Sequence, residues 1–439
     1  LIKPYQNTTF TIQGTQKILE IQKQERRERE QEKEEMAQAV RDAVHGWIRY
    51  SMAEKKLIDT PLFQRLRYVS QLTAVTLVYP GGHGSRLEHS LGAMHVAGMY
   101  ATALSETLQS DESDEFMKLA RIAALLHDIG HGPYSHAFDR AVYSKIYTAE
   151  TMMQLLPAAT VERLVKTDGH DCHRHYIVHN DAAIQLALAE LAITPESIES
   201  VWLGKAVPNA SLVATKYCKV LSAIVQGPLG ADRIDFMMRD SYYTGMEHLG
   251  TIAHTRIIDH AMIIDGSLAY SDKVIDDITH ALGGRQHLYS NLYMHKTVTA
   301  GSILIEHIMQ NLPGLAERTT DLDKFALLND MIIQEALSIP ALCQIAERFL
   351  KRQLPKLLEE TTVYGDEPQQ QNQQNIVTTR VISGIDPEMF EKYDVCFYNN
   401  KHPTSLISCK KILESRHYQP PVPFKVTRVY NLNIYAKSD

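Results

Sequence analysis

The chain has 439 residues, 44% of them hydrophobic and 22% charged, enough to bury one large core with a smaller lobe beside it. Its net charge of -7 excludes a general nucleic-acid-coating role, because such binding rests on basic surface that neutralises phosphates, so any phosphate site must be local. No apolar run is long enough to span a membrane and no signal-peptide pattern opens the chain, so an intracellular protein of the cytoplasm or nucleus, with no membrane partner, is expected.

The first residue is Leu1 rather than Met, so an upstream piece is expected to be missing. Residues 1–15 are polar, β-branched and loosely patterned, as in an arm or hairpin. From Gln16 to Glu35 charges of both signs mix at helical spacing, as in a solvated helix, and the stripe of Ile18, Leu19 and Ile21 is too short for a coiled coil. Residues 1–39 are therefore expected to form an N-terminal arm and charged helix. Between about Val40 and Gln310 the apolar spacing is helical, as in Phe116 to Leu126 and Ala300 to Met309, which predicts a bundle over 40–310. Breaks rich in Pro and Gly at 79–84, 130–133 and 227–230 punctuate it at helix ends. Helices continue to about residue 360, and 366–375 reads as a low-complexity surface loop. Residues 376–382, 394–398 and 424–430 read as strands, so 311–439 is expected to be an α+β lobe. The five cysteines, Cys172, Cys218, Cys343, Cys396 and Cys409, show no CxxC spacing and suit idle thiols in a reducing compartment.

His127 and Asp128 end an apolar helix just before Gly130, so neighbouring side chains can converge on one ion from a helix terminus. An adjacent His-Asp pair alone is a weak motif and is more often structural. Here it is joined by His89, in Arg86-Leu-Glu-His-Ser-Leu-Gly92, and by Asp232, in Gly227-Pro-Leu-Gly-Ala-Asp-Arg-Ile-Asp-Phe236. Two imidazoles and two carboxylates suit one manganese, iron, zinc, nickel or magnesium ion. Such an ion polarises a phosphoryl oxygen and activates water, which predicts a metal-dependent phosphohydrolase.

The stretches Ile58-Asp-Thr-Pro-Leu-Phe-Gln-Arg-Leu-Arg67, Arg86 to Gly92 and His127-Asp-Ile-Gly-His-Gly-Pro-Tyr-Ser-His136 resemble the HD-domain deoxynucleoside triphosphate triphosphohydrolases. The resemblance is strongest to the branch of the animal SAM-and-HD-domain enzyme, runs from about Val40 to Gln310, and includes no SAM domain. It implies a mainly α fold, an HD-domain helical bundle with a smaller α+β C-terminal lobe. It also implies hydrolysis of a dNTP to deoxynucleoside and inorganic triphosphate by water attack at the α-phosphorus, with magnesium accompanying the triphosphate. An activating nucleotide and a homo-oligomer, dimer or tetramer, are the partners it suggests.

His131, four residues after His127 and on the same face if the helical turn persists, is the first general-acid candidate, against the plainer alternative of packing or capping. By motif position Asp139 would hold its tautomer, and His179 would be a second catalytic histidine. Arg86, one turn before His89, and Arg233, next to Asp232, are phosphate-binding candidates or ordinary ion-pair partners. The resemblance puts Gln71 near sugar and phosphate, Asp240 on the sugar 3′-hydroxyl, and Tyr293 beside C2′, where a ribose hydroxyl would clash. Arg285, Tyr289 and Tyr293 recur at fourfold spacing as a stripe that lines either the pocket or the core.

Phe236 stands where the resembling enzymes carry a tyrosine. Asp59 and Arg67 match residues that read an activating nucleotide, and Lys273, His295 and Lys296 match a second activator position. Gln38, Met262 and Ser271 replace basic residues there, so activation is expected to be altered. The segment Asp168-Gly-His-Asp-Cys-His-Arg-His175 is dense in ligand types, but its irregular spacing favours a polar lid or loop over a second zinc site. Two other readings stand beside the leading one: an HD phosphohydrolase acting on a monophosphate or cyclic nucleotide, and a catalytically weak nucleotide-sensing scaffold. The complete ligand set and His131 favour turnover.

Overall fold

The computed structural model describes residues 38–155, 168–364, 375–382, 387–399, 402–408, 411 and 424–431. The N-terminal arm and charged helix up to residue 37, residues 366–374 of the low-complexity segment and Cys409 lie outside the described residues, while Asn375 opens a strand. Within them the protein is mainly α. The site is built by α1 (Arg86–Leu104), α2 (Ser113–Leu126), α3 (Gly169–Asn180), α4 (Leu212–Gln226), α5 (Ala231–Thr244), α6 (Ile275–Leu288) and α7 (Lys296–Asn311).

α1 starts in a capping box. The Ser85 hydroxyl accepts from the Glu88 N–H, while the Glu88 carboxylate accepts from the Ser85 N–H at 2.9 Å. Apolar residues surround α1 on nearly every face, so it is the central helix, packed on α2 and α5. α2 carries acidic residues in its first turn and an apolar face of Leu119, Ile122, Ala123 and Leu126 that is fully buried. Each such Leu or Ile contributes about 2 kcal/mol by leaving water. One continuous apolar core joins these helices to α4, α5 and α7.

Two hairpins interrupt the stretch expected to be helical. β1 (Gln38–Asp42) and β2 (Gly46–Tyr50) pair antiparallel from Gln38↔Tyr50 to Asp42↔Gly46. β3 (Ala261–Ile264) and β4 (Ser267–Ser271) pair through a turn in which Asp265 and Gly266 both take positive φ, 51° and 77°. That is the two-residue turn an Asp-Gly dipeptide prefers.

The C-terminal strands are β5 (Leu357–Tyr364), β6 (Asn375–Ile382), β7 (Cys396–Asn399), β8 (His402–Ser408) and β9 (Phe424–Asn431). β5, β9 and β6 form an antiparallel sheet in that order. β7 instead pairs in parallel with β4, so the second sheet, in order β3-β4-β7-β8, ties C-terminal strands to the helical body.

Candidate functional site

α2 runs straight into His127 and Asp128, and the side chains expected to bind metal converge there. His89 Nε2 lies 3.2 Å from His127 Nε2, 3.4 Å from Asp128 Oδ2 and 3.2 Å from Asp232 Oδ1. His127 Nε2 lies 3.3 Å from Asp128 Oδ1 and 3.6 Å from Asp232 Oδ1. The other nitrogen of each ring is already used: His89 Nδ1 donates to Asp235 at 2.7 Å, and His127 Nδ1 donates to the Ala124 carbonyl at 2.6 Å. Each Nε2 is therefore the ring nitrogen left to face the cluster, and offers a lone pair there once a cation takes the place of its proton. Two imidazole lone pairs and two carboxylates at these spacings fit a divalent cation. Electrostatics agree. Burial alone would lower the His89 imidazole, but Asp232, Asp235 and Asp128 outweigh it and lift it to about 10, so this centre attracts positive charge.

The sequence reading missed Asp235. Fully buried, its carboxylate accepts from His89 Nδ1 and His45 Nε2, both at 2.7 Å, and from Arg239 Nε and Nη2, both at 2.9 Å. Arg239 also donates to Asp42 at 2.8 Å, so the β1–β2 hairpin closes the network. The signal was present, since Asp232, Asp235 and Arg239 are spaced to share one face of α5. α1 must come very close here: a Cβ on Gly92 would sit 1.8 Å from Asp235 Oδ1. Gly130 is needed for a similar reason rather than for a turn, because a Cβ there would lie 2.1 Å from the His170 carbonyl of α3.

Arg86 donates through Nη1 to Asp128 at 2.6 Å and through Nε to the Ser135 hydroxyl at 2.8 Å. Burial alone would raise the Asp128 carboxyl, but Arg86, His127 and His131 hold it well below its usual range. Ser135 follows Tyr134, and both take positive φ, 55° and 56°, a strained pair of non-glycine residues. The Tyr134 N–H donates to half-buried Asp330 at 2.7 Å, which pins the strained loop.

Two expectations around His131 are corrected. Asp139 does not hold His131, whose Nδ1 is 4.0 Å away and has no hydrogen-bond partner. Its carboxylate accepts instead from His170 Nδ1 at 2.9 Å, the His170 N–H at 2.8 Å and His136 Nδ1 at 3.1 Å. Nor does His179 join the site. It sits at the far end of α3 with Nε2 3.2 Å from Glu199, and His170 takes the place beside His131, ring on ring at 3.8 Å. The segment 168–175 is correspondingly not a lid or loop but the start of α3, with His170, His173 and His175 buried. Burial opposes charge on His170, yet Asp139 and Asp171 lift it to about 9, whereas burial, Arg86 and His170 hold His131 well below its usual value. His131, His136, Asp139 and His170 also lie within ligand distance of one another, but there the His136 and His170 rings are hydrogen-bonded to the Asp139 carboxylate.

Arg86, His127, Asp128, His131 and Asp232 line a cavity of about 810 Å³ with the remaining sequence candidates, Gln71, Arg233, Asp240, Arg285, Tyr289 and Tyr293, and with Phe236. Tyr293 donates to Asp240 Oδ2 at 2.7 Å, and burial lifts the Asp240 carboxyl to about 6. Arg285 lies 4.7 Å over the Tyr289 ring, which packs edge-on against Tyr293 at 4.9 Å. α6 ends at Leu288 and a wider π-type turn carries Tyr289–Tyr293, which still brings the stripe to one cavity.

The candidate regulatory residues lie apart from this cavity. Asp59 pairs with Lys55 and Arg67 with Gln64. Lys273 is exposed after β4, and His295 caps α7 beside Lys296 on a second cavity of about 650 Å³ that Arg428 also lines.

Comparison with known proteins agrees with this geometry. The HD domain family matches residues 86–187, which include His89, His127 and Asp128. An uncharacterized protein of Methanocaldococcus jannaschii is 28% identical over 323 residues, 73% of this chain and 59% of that protein. Deoxynucleoside triphosphate triphosphohydrolase SAMHD1 of Gallus gallus is 26% identical over 353 residues, covering 73% of this chain and 56% of the relative. The Homo sapiens protein of that name is 30% identical over 269 residues, 58% of this chain and 42% of the relative. The chain thus spans about half the length of these curated relatives. The crystal structure of a hypothetical protein from Aquifex aeolicus shares the fold, with a TM-score of 0.67 at 23% identity over 90% of this chain and 96% of that one. Residues 86–187 thus match the HD domain family, and the chain is similar to the deoxynucleoside triphosphate triphosphohydrolases.

Proposed function

We propose that this protein hydrolyses deoxynucleoside triphosphates to the deoxynucleoside and inorganic triphosphate. The observation that carries this reading is one cavity lined by two chemistries: metal-ligand side chains with guanidiniums, and the Asp240–Tyr293 pair. The relatives named deoxynucleoside triphosphate triphosphohydrolases support the same reaction. A divalent cation held by His89, His127, Asp128 and Asp232 supplies Lewis acidity at a phosphoryl oxygen and makes water nucleophilic near neutral pH.

Arg86 and Arg233, beside those ligands, hold phosphate oxygens and offset the charge that grows on them. Attack at the α-phosphorus breaks its bond to O5′, and the departing oxygen needs a proton. We assign that donation to His136, which is 54% exposed at the cavity with Asp139 behind its Nδ1, and give neutral, buried His131 a positioning role. Asp240 accepts from the sugar 3′-hydroxyl through the oxygen that Tyr293 leaves free, while Tyr293 fills the space beside C2′ and disfavours ribose. A homo-oligomer and an activating nucleotide, at Asp59 and Arg67 or at His295 and Lys296, belong to the same reading.

The test is incubation of the protein with each dNTP and manganese or magnesium, followed by resolution of the products. Deoxynucleoside plus triphosphate is expected. Monophosphate plus pyrophosphate, or diphosphate plus phosphate, would overturn the assignment.

A further inference from the structure

The C-terminal part of the chain reaches the same cavity through α8 (Pro387–Lys392) and Tyr393. Three contacts fix this segment to the helical body. Phe390 and Phe397 are buried in the main core. β7 pairs in parallel with β4 from Ala269↔Cys396 to Ser271↔Tyr398. Asp394 pairs with Lys219 of α4 at 3.1 Å. Between these anchors Lys392 and Tyr393 line the cavity that also holds Arg86, Asp128 and Arg233.

The charges around them are mostly committed. Arg86 is paired with Asp128, Arg140 with Glu306 and Arg174 with Asp171. Among the described residues Lys392 has no carboxylate in ion-pair reach, and its Nζ lies 5.4 Å over the Tyr393 ring. Arg285, stacked on Tyr289, likewise has no carboxylate partner among the described residues, and a chain of three phosphates carries enough charge to engage both it and an ammonium without a carboxylate partner. We infer that Lys392 binds the phosphates of a polyphosphate substrate beyond the one at the metal ligands, with Tyr393 setting its position. This rests on the triphosphate reading above. It makes the C-terminal lobe part of the substrate site, held in place by the β4–β7 pairing.

The test measures binding of inorganic tripolyphosphate, pyrophosphate and orthophosphate to the full chain and to its K392A and K392R variants, alongside KM and kcat for a dNTP. K392A is expected to bind tripolyphosphate about tenfold more weakly and to raise KM by a similar factor at unchanged kcat, the size of one charge-assisted contact. The loss should shrink for pyrophosphate and vanish for orthophosphate, and K392R should restore it, which separates charge from folding. K118A, which changes a half-buried lysine paired with Asp114 on α2, serves as the control and should bind as the parent does. Parent-like tripolyphosphate binding by K392A overturns the inference, even if dNTPs yield triphosphate. Weakened binding in K392A upholds the anion subsite, even if the dNTP assay overturns the reaction.

Discussion

Replacing Asp235 by Asn keeps the shape of the side chain and removes its charge. The native carboxylate is fully buried and accepts four hydrogen bonds, two on each oxygen, from His45, His89 and both Arg239 nitrogens. Asn offers one acceptor oxygen and one N–H donor group, so whichever way it turns, two donors face another donor. Arg239 keeps only Asp42 as its carboxylate partner. Breaking a buried, hydrogen-bonded ion pair costs about 3 to 5 kcal/mol, and loss of a group that orients a metal-binding His typically weakens metal affinity about 10- to 100-fold. Denaturant unfolding of the metal-free protein reads the first effect, and competition with a chelator of known affinity reads the second. Asp42→Asn is the matched control: it unpairs Arg239 from the hairpin and should lower stability while leaving metal affinity near that of the parent, because it does not touch His89. Parent-like metal affinity in Asp235→Asn would refute the role given to Asp235. An equal loss of affinity in Asp42→Asn would show that general destabilisation, not orientation of His89, is being measured.

Asp240 sets a pH dependence of known sign. Its folded pKa is raised from 3.8 to about 6, so the ionised form is the costly one in the fold and stability falls as pH rises through that window. Substrate binding, which needs the ionised form to accept the sugar hydroxyl, should strengthen as pH rises through about 6; KM profiles from pH 5 to 8 that match in the parent and Asp240→Asn would remove this role. Tyr293→Ala opens the space beside the sugar and should admit rNTPs, seen as a fall in the ratio of kcat/KM for dNTP over rNTP. An unchanged ratio would take Tyr293 out of sugar selection.

His127 and Asp128 were legible because their cue is local: an apolar helix that ends in two ligand types. Asp232 was legible from its own short motif. Asp235 was not, because its role depends on partners from α1 and the first hairpin that only the fold brings near. His170 and His179 illustrate a related limit. They lie on one His-rich helix nine residues apart, about two and a half turns, and so face opposite sides. Nothing in the sequence says which side meets Asp139. The β3–β4 hairpin could have been read from Asp265-Gly266 between two apolar runs, but the helical periodicity around it prevailed. Strands near 376–382, 394–398 and 424–430 were readable from β-branched and aromatic runs, and β6, β7 and β9 match them. The parallel pairing of β7 with β4, which carries Lys392 and Tyr393 to the cavity, joins residues far apart in the chain and leaves no local cue.

The measurement closest to the centre of these conclusions is the metal content of the purified, metal-reconstituted protein per chain, compared with that of His89→Ala and Asp232→Ala. One tightly held divalent ion in the parent, lost in both variants, is expected from two histidines 3.2 Å apart that each lie within 3.2 to 3.6 Å of both Asp128 and Asp232. A parent chain that holds no ion, or variants that hold it as tightly, would contradict the metal site and the hydrolysis built on it.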